Sequence, residues 1–344
     1  VVGGRYRITD LLGEGGMGSV YRARDIDSGR QVAVKVLRPT EATAIKRFGR
    51  EAKAAMSIVH PNVCRVHDYG TLTSGAPYLV MDLLEGETLR DRIAALRSLS
   101  LADAIAMQTQ LLAALSAAHA KGVLHRDVKP ANVFVTSRRN APLTIQLIDF
   151  GLAKLIPTRV IASVAADDGG TGLTKTNVIP GTPFYLSPEQ VAGARDLDER
   201  VDVWAAAVTF FEALTGRRPF NANDFPRLAA AIAKTDAPPL SGFRADLPRD
   251  LDAIVARALA RDRDRRYATA AEFRAALVTF WEARRAALAA SPVPRQPTLP
   301  TVPGFHPPTL EHARRESTEF EIPIFVDEDG EDDELEMPTR RRRR

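Results

Sequence analysis

Between His125 and Gly151, two carboxylates and one amide stand at spacings that leave the chain few ways to fold. The first stretch reads His125-Arg126-Asp127-Val128-Lys129-Pro130-Ala131-Asn132, and Asp149-Phe150-Gly151 follows. Asp127 and Asn132 flank a proline, which cannot donate to a strand ladder, so both belong to a loop. Thr144 to Ile148 (TIQLI) is apolar and β-prone, and it carries Asp149 out of its end into a Phe-Gly turn. Asp, Asn and Asp on loops between short strands suit hard-oxygen coordination of Mg2+, with one carboxylate left over as a base. Either triplet alone reads as turn-rich surface; the two together, in this order, point to a site.

HRDVKPANV followed by DFG resembles the catalytic loop and metal-binding turn of the eukaryotic-like (Hanks-type) serine/threonine protein kinases of bacteria. The flanking chain supplies companions for it. Residues 6–14 and 18–25 alternate and are β-prone, and a glycine-rich turn, Gly13-Glu14-Gly15-Gly16-Met17-Gly18, joins them. Glycines let backbone N–H groups approach phosphates. The same pattern opens dinucleotide-binding folds, but those need a helix straight after the glycines, and here a strand follows. Residues 31–37 (QVAVKVL) read as a third strand in which Lys35 is one charge in an apolar run; a snorkelling surface lysine has the same signature. Residues 41–57 read as a helix. In it Glu51 matches the family's partner for Lys35, and Glu41 competes from a helix start, where capping and the dipole explain a carboxylate. Strands at 63–70 and 77–82 lead to Tyr78-Leu79-Val80-Met81-Asp82-Leu83-Leu84, which resembles the hinge between kinase lobes and also reads as a plain core strand.

Helices are expected at 88–97 and 101–121, the second with Leu101, Ile105, Leu112 and Leu115 at helical spacing and Gly122 as its stop. Residues 199–215 form a helix apolar nearly all round, which belongs in the middle of a lobe. Further helices fall at 224–235, 249–261 and 269–288. Asp149 to Glu189 shows few periodic signals; a loop of that length is functional or disordered.

The resemblance implies a set of roles. Leu12, Gly13, Glu14, Gly15, Gly16, Met17, Gly18, Ser19 and Val20 would cover the phosphates of ATP. Ala33, Met81 and the backbone of Asp82 and Leu84 would border the adenine. Lys35 would contact the α- and β-phosphates and pair with Glu51. Asp127 would be the base, Lys129 would neutralise the transferred phosphoryl group, and Asn132 and Asp149 would hold Mg2+ or Mn2+. His125 and Phe150 would pack structurally. Arg126 would pair with a phosphate on the activation segment, where Thr174 and Thr176 are the expected autophosphorylation sites. The bland alternative for Arg126 is an ordinary carboxylate partner. Thr182 would contact Asp127 and Lys129. In Ser187-Pro188-Glu189, a departure from the usual Ala-Pro-Glu, Glu189 would pair with Arg266, with Arg265 as the alternative one residue away. Asp202 would bond the backbone of the catalytic loop; otherwise it is a mere helix-end carboxylate.

The fold expected is α+β and two-lobed, protein kinase-like: an antiparallel β lobe with one helix and the hinge (1–86), a mainly α-helical lobe (87–290), and a disordered tail (291–344), Pro-rich, then acidic, then Arg-rich. A hydrophobic share of 45% and a charged share of 26% allow a sizeable globular core. The single cysteine, Cys64, makes no internal disulfide, which fits a reducing compartment. The start, VVGGRYRITD, is too polar for a secretory leader, and no apolar run reaches the ~18 residues of a membrane span. Net charge is +4, but residues from Ser291 onward carry 8 Lys/Arg against 12 Asp/Glu, so the body is the more basic part. That fits a polyanionic ligand such as a nucleoside triphosphate.

The partners expected are ATP and protein substrates offering Ser or Thr, with a homodimer for trans-autophosphorylation and no nucleic acid. A cytoplasmic location follows, with membrane attachment only through a span beyond the five arginines Arg340–Arg344. Two rivals stand beside the kinase: a pseudokinase scaffold, which would lack a counterpart of Lys35, Asp127 or Asp149, and a small-molecule phosphotransferase, which Lys129, Thr182 and Ser187-Pro188-Glu189 disfavour.

Overall fold

Alternating residues near the start of the chain build strands β1 (Tyr6–Gly15), β2 (Gly18–Asp25) and β3 (Gln31–Leu37), joined in an antiparallel meander. A computed structural model describes residues 1–15, 18–38, 42–136, 143–150 and 183–290, apart from the side chains of 42–47. The tail expected at 291–344 lies outside the described residues, as do Gly16, Met17, Glu41, Gly151, Thr174, Thr176 and Thr182.

Strands β4 (Val66–Thr71) and β5 (Pro77–Asp82) complete a five-stranded sheet in the order β1-β2-β3-β5-β4. The most apolar strand, β3, is central, as a strand covered on both faces must be. Helix α1 (Ala42–Met56) lays Phe48 and Ala52 against Ala33, Leu37, Leu79 and Met81 on one face. Tyr6, Val32, Val34, Tyr78 and Val80 fill the other. Strand β4 begins at Val66 rather than at 63. Residues 62–64 bond elsewhere: Leu147 donates to the Asn62 carbonyl at 2.8 Å, and Cys64 N–H donates to the Leu147 carbonyl at 3.0 Å.

The second lobe starts with β6 (Glu87–Thr88) and α2 (Leu89–Leu96), whose N-cap Thr88 accepts from Asp91 N–H at 3.2 Å. Helix α3 (Leu101–His119) follows, capped by Ser100. Strands β7 (Val133–Val135) and β8 (Ile145–Leu147) pair with each other, and β7 with β6. These pieces are too short to show a period of two, so β6 and β7 had no signal in the sequence. A four-residue turn of helix, α4 (Pro188–Val191), precedes α5 (Arg200–Thr215), α6 (Phe225–Lys234), α7 (Arg249–Ala258) and α8 (Ala270–Ala290).

Helix α5 is buried nearly throughout, and Trp204 stacks on Phe220 at 5.6 Å. It ends at Gly216, with φ 69°, where a Cβ would sit 2.1 Å from the Arg97 carbonyl. Helix α3 packs against both α5 and α8. Among the described residues α3 alone is long and apolar enough to cross a membrane; half of that stretch is buried within this core.

Candidate active site

Each element above delivers a functional side chain to one place. The register of β3 sets Lys35 opposite Val20 on β2 and Leu79 on β5. Its ammonium is buried and lies 2.7 Å from Asp149 Oδ2, just past β8, so the two lobes meet in an ion pair. Among the described ion pairs, the one that Lys35 makes is with Asp149. Glu51 acts electrostatically on Arg126, raising its pKa, as does Asp202, against a larger lowering by burial.

The catalytic loop is bonded throughout. Lys129 Nζ donates to both Asp127 carboxylate oxygens, at 2.9 and 2.7 Å. Asn132 Nδ2 donates to the Asp127 carbonyl at 2.7 Å and to its Oδ2 at 3.0 Å. This fixes the Asn132 amide with its nitrogen toward Asp127, leaving its oxygen as the acceptor for a cation. Asp127 N–H donates to His125 Nδ1 at 3.2 Å, so His125 Nε2 carries the hydrogen that the Ile148 carbonyl accepts at 2.9 Å. The ring meets Phe150 edge-on at 4.7 Å. His125 therefore packs and ties the loop to the Asp149 turn.

Arg126 and Asp149 both have positive φ, 64° and 66°, a strained conformation for residues with a side chain. Asp202 holds the first in place. Its fully buried carboxylate accepts from His125 N–H at 2.8 Å and Arg126 N–H at 2.7 Å. Burial pushes its pKa up, but the His119 hydrogen bond and neighbouring donors outweigh this and hold it below the ordinary carboxylate value. His119, whose Nε2 lies 2.8 Å from Asp202 Oδ2, was missed from sequence. Its only signal was a place at the end of an apolar helix, which many packed histidines share.

Arg266 is the partner of Glu189, at 2.7 and 2.8 Å in a two-pronged pair, and Arg265 is exposed. The Arg126 Nε is buried with no hydrogen-bond partner among the described residues.

The glycine-rich turn shows why those positions are glycine. A Cβ on Gly18 would fall 2.1 Å from the Val36 carbonyl, so packing explains that one. A Cβ on Gly13 or Gly15 would meet nothing of the protein within 4 Å, so internal packing does not require glycine there. At the end of β5, Asp82 N–H donates to the Arg65 carbonyl at 3.0 Å, and the Asp82 carbonyl takes a weak 3.8 Å contact from Cys64 Sγ. The backbone groups of Leu84 make no hydrogen bond among the described residues. Burial pushes the Cys64 thiol up to about 12, so it lines the wall behind Met81 as an apolar group.

A strand-borne lysine on a loop carboxylate, beside an Asp-Lys-Asn loop pinned by a buried aspartate, in a sheet lobe joined to a helical lobe, defines the protein kinase class. The sequence model of the protein kinase domain matches residues 6–277, and the chain belongs to that family. It is 36% identical over 286 residues to the serine/threonine-protein kinase pkn3 of Myxococcus xanthus, covering 82% of this chain and 51% of that protein. To serine/threonine-protein kinase PknB of Mycobacterium tuberculosis it is 39% identical over 280 residues, 80% of this chain and 42% of that one. The crystal structure of the Mycobacterium tuberculosis PknI kinase domain superimposes with a TM-score of 0.62 at 31% identity, covering 81% of this chain and 97% of that one. The chain thus spans about half or less of the length of these two curated relatives.

Proposed function

We propose that the chain is a serine/threonine protein kinase domain that transfers the γ-phosphoryl group of ATP to Ser or Thr hydroxyls of proteins. The convergence of Lys35, Asp149, Asp127, Lys129 and Asn132 carries this reading. Residues 1–86 act as the nucleotide-covering lobe with its hinge, and 87–290 as the substrate-bearing lobe.

ATP is the phosphoryl donor. Gly13 and Gly15, where no neighbour crowds the missing Cβ, would let the phosphates approach the backbone closely, and the backbone of Asp82 and Leu84 would meet the edge of the base. Asn132 and Asp149 would hold Mg2+ or Mn2+, which would neutralise phosphate charge when bound. Lys35 is within reach of the same phosphates once Asp149 turns to the cation. Asp127, fixed by Lys129 and Asn132, orients the acceptor hydroxyl and takes its proton, and Lys129 offsets charge on the transferred group. Thr182 stands two residues before Phe184 and bears on the acceptor. Autophosphorylation at Thr174 and Thr176 would supply the anion that the buried, unsatisfied Nε of Arg126 suits. Transfer between two copies is the route proposed for it. The domain acts where ATP is held, in the cytoplasm.

Against a pseudokinase, the reading is supported by the presence of Lys35, Asp127 and Asp149, with Lys35 bonded to Asp149 and Lys129 to Asp127. Incubation with labelled ATP and Mg2+ tests the reading. The wild-type protein should label itself or a generic basic protein, and Asp127→Asn should lower the rate by about 10²–10⁴-fold. Equal labelling of both proteins sinks the mechanism.

A further inference from the structure

Beside the catalytic loop the chain carries a rim whose charges are already sorted. Helix α2 packs on Pro130–Asn132, and the strand before it, β6, pairs with β7 just after Asn132. Phe184 and Tyr185 come directly after the segment containing Thr182. The Tyr185 hydroxyl donates to Glu212 Oε2 on α5 at 2.5 Å. Arg218, beyond the end of α5, lays its guanidinium over the Phe184 ring at 3.6 Å. Arg218 and Arg90, the latter on α2, both act electrostatically on Tyr185 from different elements.

The carboxylates of this rim are engaged from within. Glu87 Oε1 accepts from Arg92 at 2.7 Å. Asp91 is held by Thr88 and lies 3.3 Å from Arg90. Glu212 is half-buried and accepts from the Tyr185 hydroxyl. Glu85 remains, on the hinge side. The cations, by contrast, have donors to spare. Arg218 lies over the Phe184 ring and acts electrostatically on Glu212 and Tyr185, but among the described residues it makes no hydrogen bond or ion pair, so its N–H groups can still serve a ligand. Arg217 is exposed and makes no ion pair among the described residues. Arg90 is exposed, and its one ion pair among the described residues is the surface pair with Asp91. An arriving carboxylate therefore finds Arg218 without a described ion-pair partner, and at Arg90 competes only with an exposed, weak pair.

We propose that Arg218 and Arg90 are specificity-determining residues that select protein substrates with acidic side chains beside the phosphoacceptor. This rests on the kinase reading above. The Arg218–Phe184 stack gives the recognition a fixed position, since the ring holds the guanidinium in one plane next to the acceptor segment.

The test uses the full chain, ATP, Mg2+ and three synthetic peptides, each with one threonine flanked on both sides by glutamates, alanines or lysines. The glutamate peptide should exceed the lysine peptide by about tenfold in kcat/KM, and Arg218→Glu should reverse that order. A protein merely loosened by the substitution would lose rate on all three peptides and keep their order. Arg90→Glu, at an exposed position, should shift the ratio in the same direction by a smaller factor, and it serves if Arg218→Glu fails to fold. Equal rates on all peptides, a preference for lysine, or an order unchanged in both variants overturns the inference while leaving the kinase reading intact. A wild-type protein that labels neither itself nor any peptide overturns both.

Discussion

Glu212 and Asp202 lie on the same helix, the first half-buried and the second fully buried, yet their protons obey opposite rules. Asp202 sits among donors, the N–H groups of His125 and Arg126 and the His119 ring, and these hold it ionised against burial. Glu212 has the Tyr185 hydroxyl and the nearby Arg218, which do not overcome burial, so its pKa is raised. The folded protein therefore binds the Glu212 proton more tightly than the unfolded chain does. Stability from this group is fully present below the ordinary glutamate value of ~4.5 and is lost as pH rises through the raised one. Glu212→Gln keeps an acceptor for Tyr185 and removes the buried charge. It should melt above wild type at about pH 8, with the gap closing toward about pH 4.5, as followed by thermal denaturation across that range. A gap independent of pH would show that Glu212 is not the titrating group.

Among the elements, the join between α4 and the turn before α8 is made by one ion pair. Arg266 is buried and forks onto Glu189, and its remaining donors go to the carbonyls of Ala260, Arg261 and Arg200. It also faces the Trp204 ring at 4.8 Å. Truncating it leaves Glu189 charged and without its partner. Arg266→Ala should cost about 3–5 kcal/mol in urea unfolding, as breakage of a buried pair does. Arg265→Ala, at an exposed position, should stay within about 0.5 kcal/mol of wild type. The choice between these adjacent arginines was open in RDRDRRY, because their side-chain chemistry is identical; only the extended backbone at Arg266 turns one of them inward. The helices themselves were more legible. Helix α5 was readable from an apolar run that no surface helix could carry, and α3 from its leucine spacing. Their ends were less so: α3 stops at His119, where the chain turns to present the catalytic loop.

Across the whole molecule the two lobes meet at Lys35 and Asp149, whose joint ligand is proposed to be ATP with a divalent cation. Binding to the folded state alone stabilises it by mass action, about 2.7 kcal/mol at a hundred times the dissociation constant. ATP with Mg2+ should therefore raise the melting temperature of wild type. Chelation of the metal should remove most of that shift, and Lys35→Met should reduce it. A shift indifferent to both changes would remove Lys35 and the cation from the site.

The sequence by itself determined the residue types and their order: the glycine turn, the strand lysine, the Asp-Lys-Asn loop and the Asp-Phe-Gly turn. Those are written in local chemistry, where a proline, a glycine or a period of two acts within a few residues. The tertiary structure decided which charge meets which. Lys35 holds Asp149, His119 joins Asp202, and Tyr185 covers Glu212, because pairing depends on distance through space between elements far apart in the chain. Electrostatic attraction and burial act on that distance, and residue spacing does not encode it.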